Sequence, residues 1–144
     1  MSVYLVACGK TKRGSRSLAK DLYTSTLFKF ARSLAEREGD RWFILSARHG
    51  LVDPEGELDP YNQSLVTAGR AERRAWAVRV YLQALRVGAQ QWGGVTFLAG
   101  SAYQEPLGAL LAQLGLVVED PMKGLGVGKR LQWMKRRLSE ESRG

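Results

Sequence analysis

A chain of 144 residues with 44% hydrophobic and 25% charged side chains has the size and balance of one globular domain, able to bury a single core without disulfides or a structural metal. One cysteine, Cys8, excludes an intrachain disulfide, one histidine, His49, excludes a Cys/His zinc cluster, and no run approaches the roughly 18 apolar residues of a membrane span. Twenty-two Lys and Arg against fourteen Asp and Glu give a net charge of +8, so a polyanion is the expected partner and a membrane is not.

In chain order, Val3 to Ala7 is an apolar run of strand formers, and Cys8 to Ser15 is its polar exit loop. No basic or long apolar leader precedes that strand, so a cytoplasmic location is expected. Leu22, Phe30 and Leu34 recur at helical spacing with Leu27 and Ala31 beside them, which predicts a helix over most of Leu18–Glu38, stopped by Gly39. Trp42 to Leu45 is a second strand, apolar on both faces, and Ser46 to Ser64 is a long loop punctuated by Gly50, Pro54, Gly56 and Pro60. Thr67 is placed to cap the next helix, which carries Trp76, Val80, Leu82 and Leu85 and runs out near Gly88. Val95–Ala99 is a third strand with a tight exit at Gly100-Ser101, Ala102–Leu114 a helix with an early Pro106, and Leu116–Glu119 a fourth strand. Gly124, Gly126 and Gly128 lead into a final helix through Leu131, Met134 and Leu138, and residues 140–144 are expected to fray.

Strands alternating with helices predict one α/β domain over residues 1–144, a three-layer α/β/α sandwich with a mainly parallel four-stranded sheet in the order 2-1-3-4. Ligands of such sheets bind beyond the carboxyl ends of the strands, where the strand order reverses. Three polar loops leave that edge: Cys8–Ser15, Ser46–Ser64 and Gly100–Glu105.

The charge is unevenly spread. Residues 1–48 hold ten basic and four acidic side chains, residues 123–144 seven and two, and His49–Val66 four acids with no Lys or Arg. Cys8-Gly9-Lys10-Thr11-Lys12-Arg13 resembles a phosphate cradle, although neither the GxxxxGK[ST] nor the GxGxxG spacing is present. Gly124–Lys129 stands before a helix rather than between a parallel strand and its helix, yet its amides, Lys129 and Arg130 suit a phosphate. Arg130, Arg136 and Arg137 spread over the outer face of the last helix, either as a solvated face or as phosphate contacts.

The loop after the second strand gathers Arg48, His49, Asp53, Glu55, Glu57, Asp59, Tyr61 and Asn62. His49 is the candidate acid or base, and Asp59 the candidate carboxylate for stabilising positive charge or orienting a water, with turn capping before Pro60 as its alternative. Residue chemistry alone does not separate Asp59 from Asp53, Glu55 or Glu57. Tyr61 and Tyr103 are suited to stack on a base, and Asn62, Ser101 and Gln104 to read its edge beside Cys8 and Gly9. No metal and no cofactor are expected.

Ala7-Cys8-Gly9-Lys10-Thr11, Asp21-Leu22-Tyr23-Thr24, Leu45-Ser46 with His49-Gly50-Leu51, Pro60-Tyr61, Ala99-Gly100-Ser101-Ala102-Tyr103 and the closing glycine-and-basic segment follow one another along the chain. In that order they resemble the YaaA family, whose members include DNA-binding proteins of peroxide stress, and its small phage and bacterial relatives. The family pattern has proline-alanine where Cys8-Gly9 stands, usually a tyrosine at the position of His49, and an arginine at that of Asn62. The resemblance implies a Rossmann-like fold of the uracil-DNA-glycosylase kind, DNA binding, and a pocket like those of glycosylases and base-exchanging enzymes.

The expectation is therefore a DNA-binding protein with a nucleobase pocket that cleaves or exchanges an N-glycosidic bond, as a monomer or homodimer. A noncatalytic DNA- or RNA-binding module, and an enzyme acting on free nucleotides or nucleosides, are the alternatives.

Overall fold

The computed structural model describes residues 1–9 and 12–141; Lys10 and Thr11 of the expected phosphate cradle, and residues 142–144 of the expected tail, lie outside the described residues. Strand β1 (Ser2–Ala7) is followed by the short strand β2 (Ser17–Leu18) and helices α1 (Ala19–Leu22) and α2 (Thr26–Glu38). Strands β3 (Arg41–Ser46), β4 (Gly50–Val52) and β5 (Glu57–Leu58) then precede helix α3 (Arg70–Arg86) and the single 3₁₀ turn Ala89–Gln91. Strand β6 (Gly94–Leu98), helix α4 (Ser101–Gln113), strand β7 (Val117–Glu119) and helix α5 (Val127–Glu141) complete the fold.

The main sheet runs β4-β3-β1-β6-β7. Strand β1 lies at its centre, parallel to β3 and β6, with Leu5 opposite Phe43 on one side and Phe97 on the other. Four strands were expected and there are five. The chain turns at residues 47–49 and β4 pairs antiparallel with β3, Leu45 opposite Leu51. Three residues are too few to display a period, so β4 is invisible in the sequence. Tertiary contacts fix it instead: Gln83 of α3 accepts from Leu51 N at 2.8 Å and donates to His49 O at 3.1 Å. Gly50 adopts φ +78°, and a Cβ there would stand 2.2 Å from Gln83 Oε1, so the turn requires glycine.

Side chains alternate across the sheet as the pleat demands. Val3, Leu5, Phe43, Leu45, Val95 and Phe97 join Trp76, Val80, Tyr103 and Leu107 of α3 and α4 in one core, while Val6, Ile44 and Leu98 join Phe28, Leu34 and Met134 of α2 and α5 in the other. Helices thus cover both faces. Among the described residues no helix is long and apolar enough to cross a membrane.

Several expected elements shift. The helix over Leu18–Glu38 is two helices, because Tyr23 leaves helical geometry to bridge Lys12, and Ser25 caps α2 by accepting from Phe28 N at 3.2 Å. Helix α3 starts after Gly69, so Thr67 does not cap it and instead donates to Ser64 O at 3.5 Å. Leu82, expected in the core, is exposed, and Leu85 is only half-buried. The helix turns the narrower set Trp76, Ala77, Val80 and Ala84 inward. Glu140 and Glu141 belong to α5 rather than to a frayed tail.

Candidate functional site at the carboxyl edge of the sheet

Leaving β1, the chain reaches Cys8, whose amide still donates to Leu45 O at 3.0 Å, and then Gly9. A Cβ on Gly9 would lie 2.6 Å from Ser25 Oγ, so the loop passes this close to the start of α2 only because residue 9 has no side chain. The neighbouring exit, from β3, ends at Ser46, which is fully buried. The strand order reverses beside them, between β1 and β6, whose exit at Gly100 leads into α4.

Between these exits lies a compact group of hydroxyls. Ser46 Oγ donates to Tyr61 Oη at 2.8 Å and accepts from His49 N at 3.0 Å, and the hydroxyls of Tyr61 and Tyr23 bond each other at 2.5 Å. Cys8 Sγ stands 3.4 Å from Tyr103 Oη. Tyr103, near the amino end of α4, packs edge-on against Trp76, whose indole donates to Ser46 O at 2.8 Å. His49 meets the Tyr61 ring edge-to-face at 5.4 Å. The ammonium of Lys12 lies over the Tyr61 ring at 4.7 Å and 5.7 Å from that of Tyr23, a cation held on two π faces.

Burial sets the protonation of this group. It pushes the Tyr23 phenol up to about 12, with the nearby Cys8 adding to it. Tyr61 and Tyr103 are driven up as well, by burial first and by Cys8 second. His49 is pushed below its ordinary value by burial and by the like charges of Arg48 and Arg79. At neutral pH the cluster therefore offers neutral donors and a neutral imidazole, with Lys12 as its cation.

Cys8, Gly9, Lys12, His49, Tyr61 and Tyr103 are brought together as their residue types suggested. Tyr23, Ser46 and Trp76 also belong to the group and were not singled out as site residues, and Ser25 borders it beside Gly9. Tyr23 carried a signal in the Asp21-Leu22-Tyr23-Thr24 motif, whereas Ser46 and Trp76 are ordinary strand and helix residues until the fold places them. Asn62 and Ser101 are exposed and Gln104 is half-buried against Gly108; no contact among the described residues joins them to the hydroxyls.

The carboxylates of the long loop are occupied elsewhere. Asp59 pairs with Arg16 at 2.9 Å, Glu57 with Arg16 at 3.5 Å, and Glu55 with Lys20 at 2.6 Å. Asp53 Oδ1 accepts from Glu55 N at 2.9 Å, closing the turn. Alongside, Ala19 N and Lys20 N donate to Gly56 O and Pro54 O, and β5 pairs with β2. The acidic run thus fastens the long loop to the segment before α2, and Asp59, with a side chain 72% exposed, makes no contact with the hydroxyl group among the described residues. Asp120 is a carboxylate the residue pattern did not single out. Its Oδ1 is buried without a hydrogen-bond partner among the described residues, and burial raises its carboxyl against the pull of Lys123 and Arg130.

Basic side chains border the same edge. Arg13 and Arg48 are exposed on the exits of β1 and β3. Arg130 donates to Leu125 O at 2.9 Å, and its guanidinium lies about 3.4 Å from the Cβ position of Gly100, at the amino end of α4. Lys129 is exposed at the start of α5, whereas Arg136, also exposed, stands beside Arg137 toward the opposite edge, where α2 ends, and does not border the site as its residue type suggested. Arg137, by contrast, is turned to the protein body, where its Nη2 pairs with Glu38 at 2.8 Å. Two cavities, of about 150 and 190 Å³, lie away from the edge, between α2 and α5 and beside Arg41–Phe43. Among the described residues no group of His, Cys, Asp and Glu could hold a metal ion.

A family profile described as a family of unknown function (DUF6884) matches residues 3–136. No curated protein and no solved structure matches the chain.

Proposed function

The chain belongs to the DUF6884 family, and for it we propose a DNA-binding protein that receives a nucleobase at the tyrosine cluster and acts on its N-glycosidic bond. The observation that carries this reading is the convergence of Cys8, Tyr61, Tyr103, His49 and Lys12 on one polar group at the carboxyl edge, within a border of basic side chains. A base leaving a sugar needs hydrogen-bond donors on its edge and stacking on its face. Buried neutral phenols supply both. Lys12 covers the Tyr61 ring, so an entering base replaces the ammonium on the ring face and the ammonium moves to the adjoining phosphate. His49, neutral and at the rim, is the group to exchange a proton with the leaving base or a water.

Arg13, Arg48, Lys129 and Arg130 hold the backbone, which gives affinity without sequence preference. Asp59 enters this scheme only as the ion pair that fastens the loop. The Rossmann-like, glycosylase-like layering and the kinship to the YaaA family belong to the same proposal.

The test is release of an abasic product from DNA carrying modified bases, alongside mobility shifts over a salt series. Product formation that disappears with His49→Ala while binding persists supports the enzyme. Binding with no product from any modified base favours a noncatalytic DNA- or RNA-binding module. One observation recommends that second reading: no carboxylate contacts the cluster among the described residues, so positive charge on a sugar has no anion beside it there.

A further inference from the structure

Helix α3 presents an apolar line to solvent. Ala71, Ala75 and Val78 are exposed, Leu82 is 51% exposed and Leu85 half-buried. Their spacing is 4, 3, 4 and 3, which keeps all five within about 40° of one line along the helix. The opposite face is filled by Trp76, Ala77, Val80 and Ala84, so the line points away from the core. Such a seam, about 21 Å long, lacks a counterpart among the described residues.

We propose that it is a homodimer seam, closed by α3 of a second copy running antiparallel about a two-fold axis. Setting Val78 against the partner's Leu82, and Ala75 against the partner's Leu85, matches a small side chain to a large one in the four layers that residues 75, 78, 82 and 85 form, and leaves Ala71 beyond the end of the partner's α3. That register brings Glu72 beside the partner's Arg86 at both ends of the seam. Neither Glu72 nor Arg86 has an ion pair among the described residues. A parallel pairing would instead set Arg74 against the partner's Arg79 on both flanks. In the antiparallel arrangement Arg79 meets its own copy at the axis, but its guanidinium is drawn aside toward Ala47 O, 3.4 Å away. Because α3 begins at the carboxyl edge, the two nucleic-acid edges face opposite ends of the dimer and act independently.

A seam this short places the dimer among weak, reversible assemblies. Sedimentation equilibrium over a concentration series, at a salt concentration that screens the net charge of +8, reads it directly. Expected are a reversible dimer for the natural chain and at least tenfold weaker association for Leu82→Glu. Glu72→Arg and Arg86→Glu should each weaken it several-fold, and the double charge reversal should restore it. All three substituted positions are exposed, and circular dichroism confirms that each variant is folded. A monomer at every concentration overturns the proposal, as does a dimer untouched by Leu82→Glu or a double reversal that restores nothing. A monomer whose stripe binds anionic vesicles or an acidic helical peptide overturns it too.

Discussion

Replacing Tyr61 by phenylalanine removes one oxygen from a group in which each hydroxyl depends on the next. Ser46, fully buried, loses the acceptor of its hydroxyl at 2.8 Å, and Tyr23, 2% exposed, loses its partner at 2.5 Å. A buried donor or acceptor left without a partner costs about 1–3 kcal/mol. Ser46 keeps the bond from His49 N, so the total lies in the lower half of the range for two groups, roughly 2–4 kcal/mol. For a domain of this length that is a fall in Tm of roughly 6–12 °C. Urea unfolding followed by circular dichroism measures it, and Ser46→Ala with the double variant completes a cycle whose coupling should reach about 1 kcal/mol. A loss below about 0.5 kcal/mol for Tyr61→Phe, or additivity in the cycle, would refute the picture of a shared hydroxyl network.

Gly9→Ala forces Ser25 Oγ out of its capping position, because the new Cβ would stand 2.6 Å from it; about 1 kcal/mol of stability should be lost with the cap, read by thermal unfolding, and the proposed DNA binding should weaken with the displaced loop. Asp59→Ala breaks only an exposed ion pair with Arg16, so stability should change by no more than about 0.5 kcal/mol and, on the proposed function, base release should persist; abolished activity in a folded variant would return Asp59 to the chemistry. His49 has a folded-state pKa below the unfolded value of about 6.5. Its contribution is therefore present above that pH and lost as pH falls through the folded value, where the unfolded chain binds the extra proton. His49→Gln should flatten the acid limb of a stability–pH profile, and an unchanged limb would count against the burial of the imidazole. If Arg13, Arg48, Lys129 and Arg130 all meet phosphates of duplex DNA, log K against log salt should have a slope of about −4, falling by about 1 for each residue removed; a flat dependence would contradict the basic edge.

Periodicity revealed the larger elements because burial acts on every turn or pleat of a long segment. The parallel strands β1, β3 and β6 and helices α2, α3, α4 and α5 each show an apolar face. Short β4, β2 and β5 do not, because two or three residues carry no period, and what holds them is the Gln83 clamp and the backbone bonds of Ala19 and Lys20 to Gly56 and Pro54. Exit loops are legible for a related reason: glycines and polar residues must follow a buried strand, and Cys8, Lys12, His49 and Tyr61 stand there. The ion pair of Asp59 is not legible in the sequence, because local density of charge does not say which cations stand opposite. Arg16 lies 43 residues away in sequence and 2.9 Å away in space.

By itself, then, the sequence determined an α/β domain with a basic, polar carboxyl edge, since hydrophobic periodicity, glycine breaks and net charge are properties of neighbouring residues or of simple sums. Tertiary structure alone decided which of the polar side chains share a site. Ser46, Tyr23 and Trp76 join Cys8, Tyr61 and Tyr103 through pairings between distant segments. The acidic run leaves the site for the same reason: its charges are neutralised by side chains that only folding brings to them.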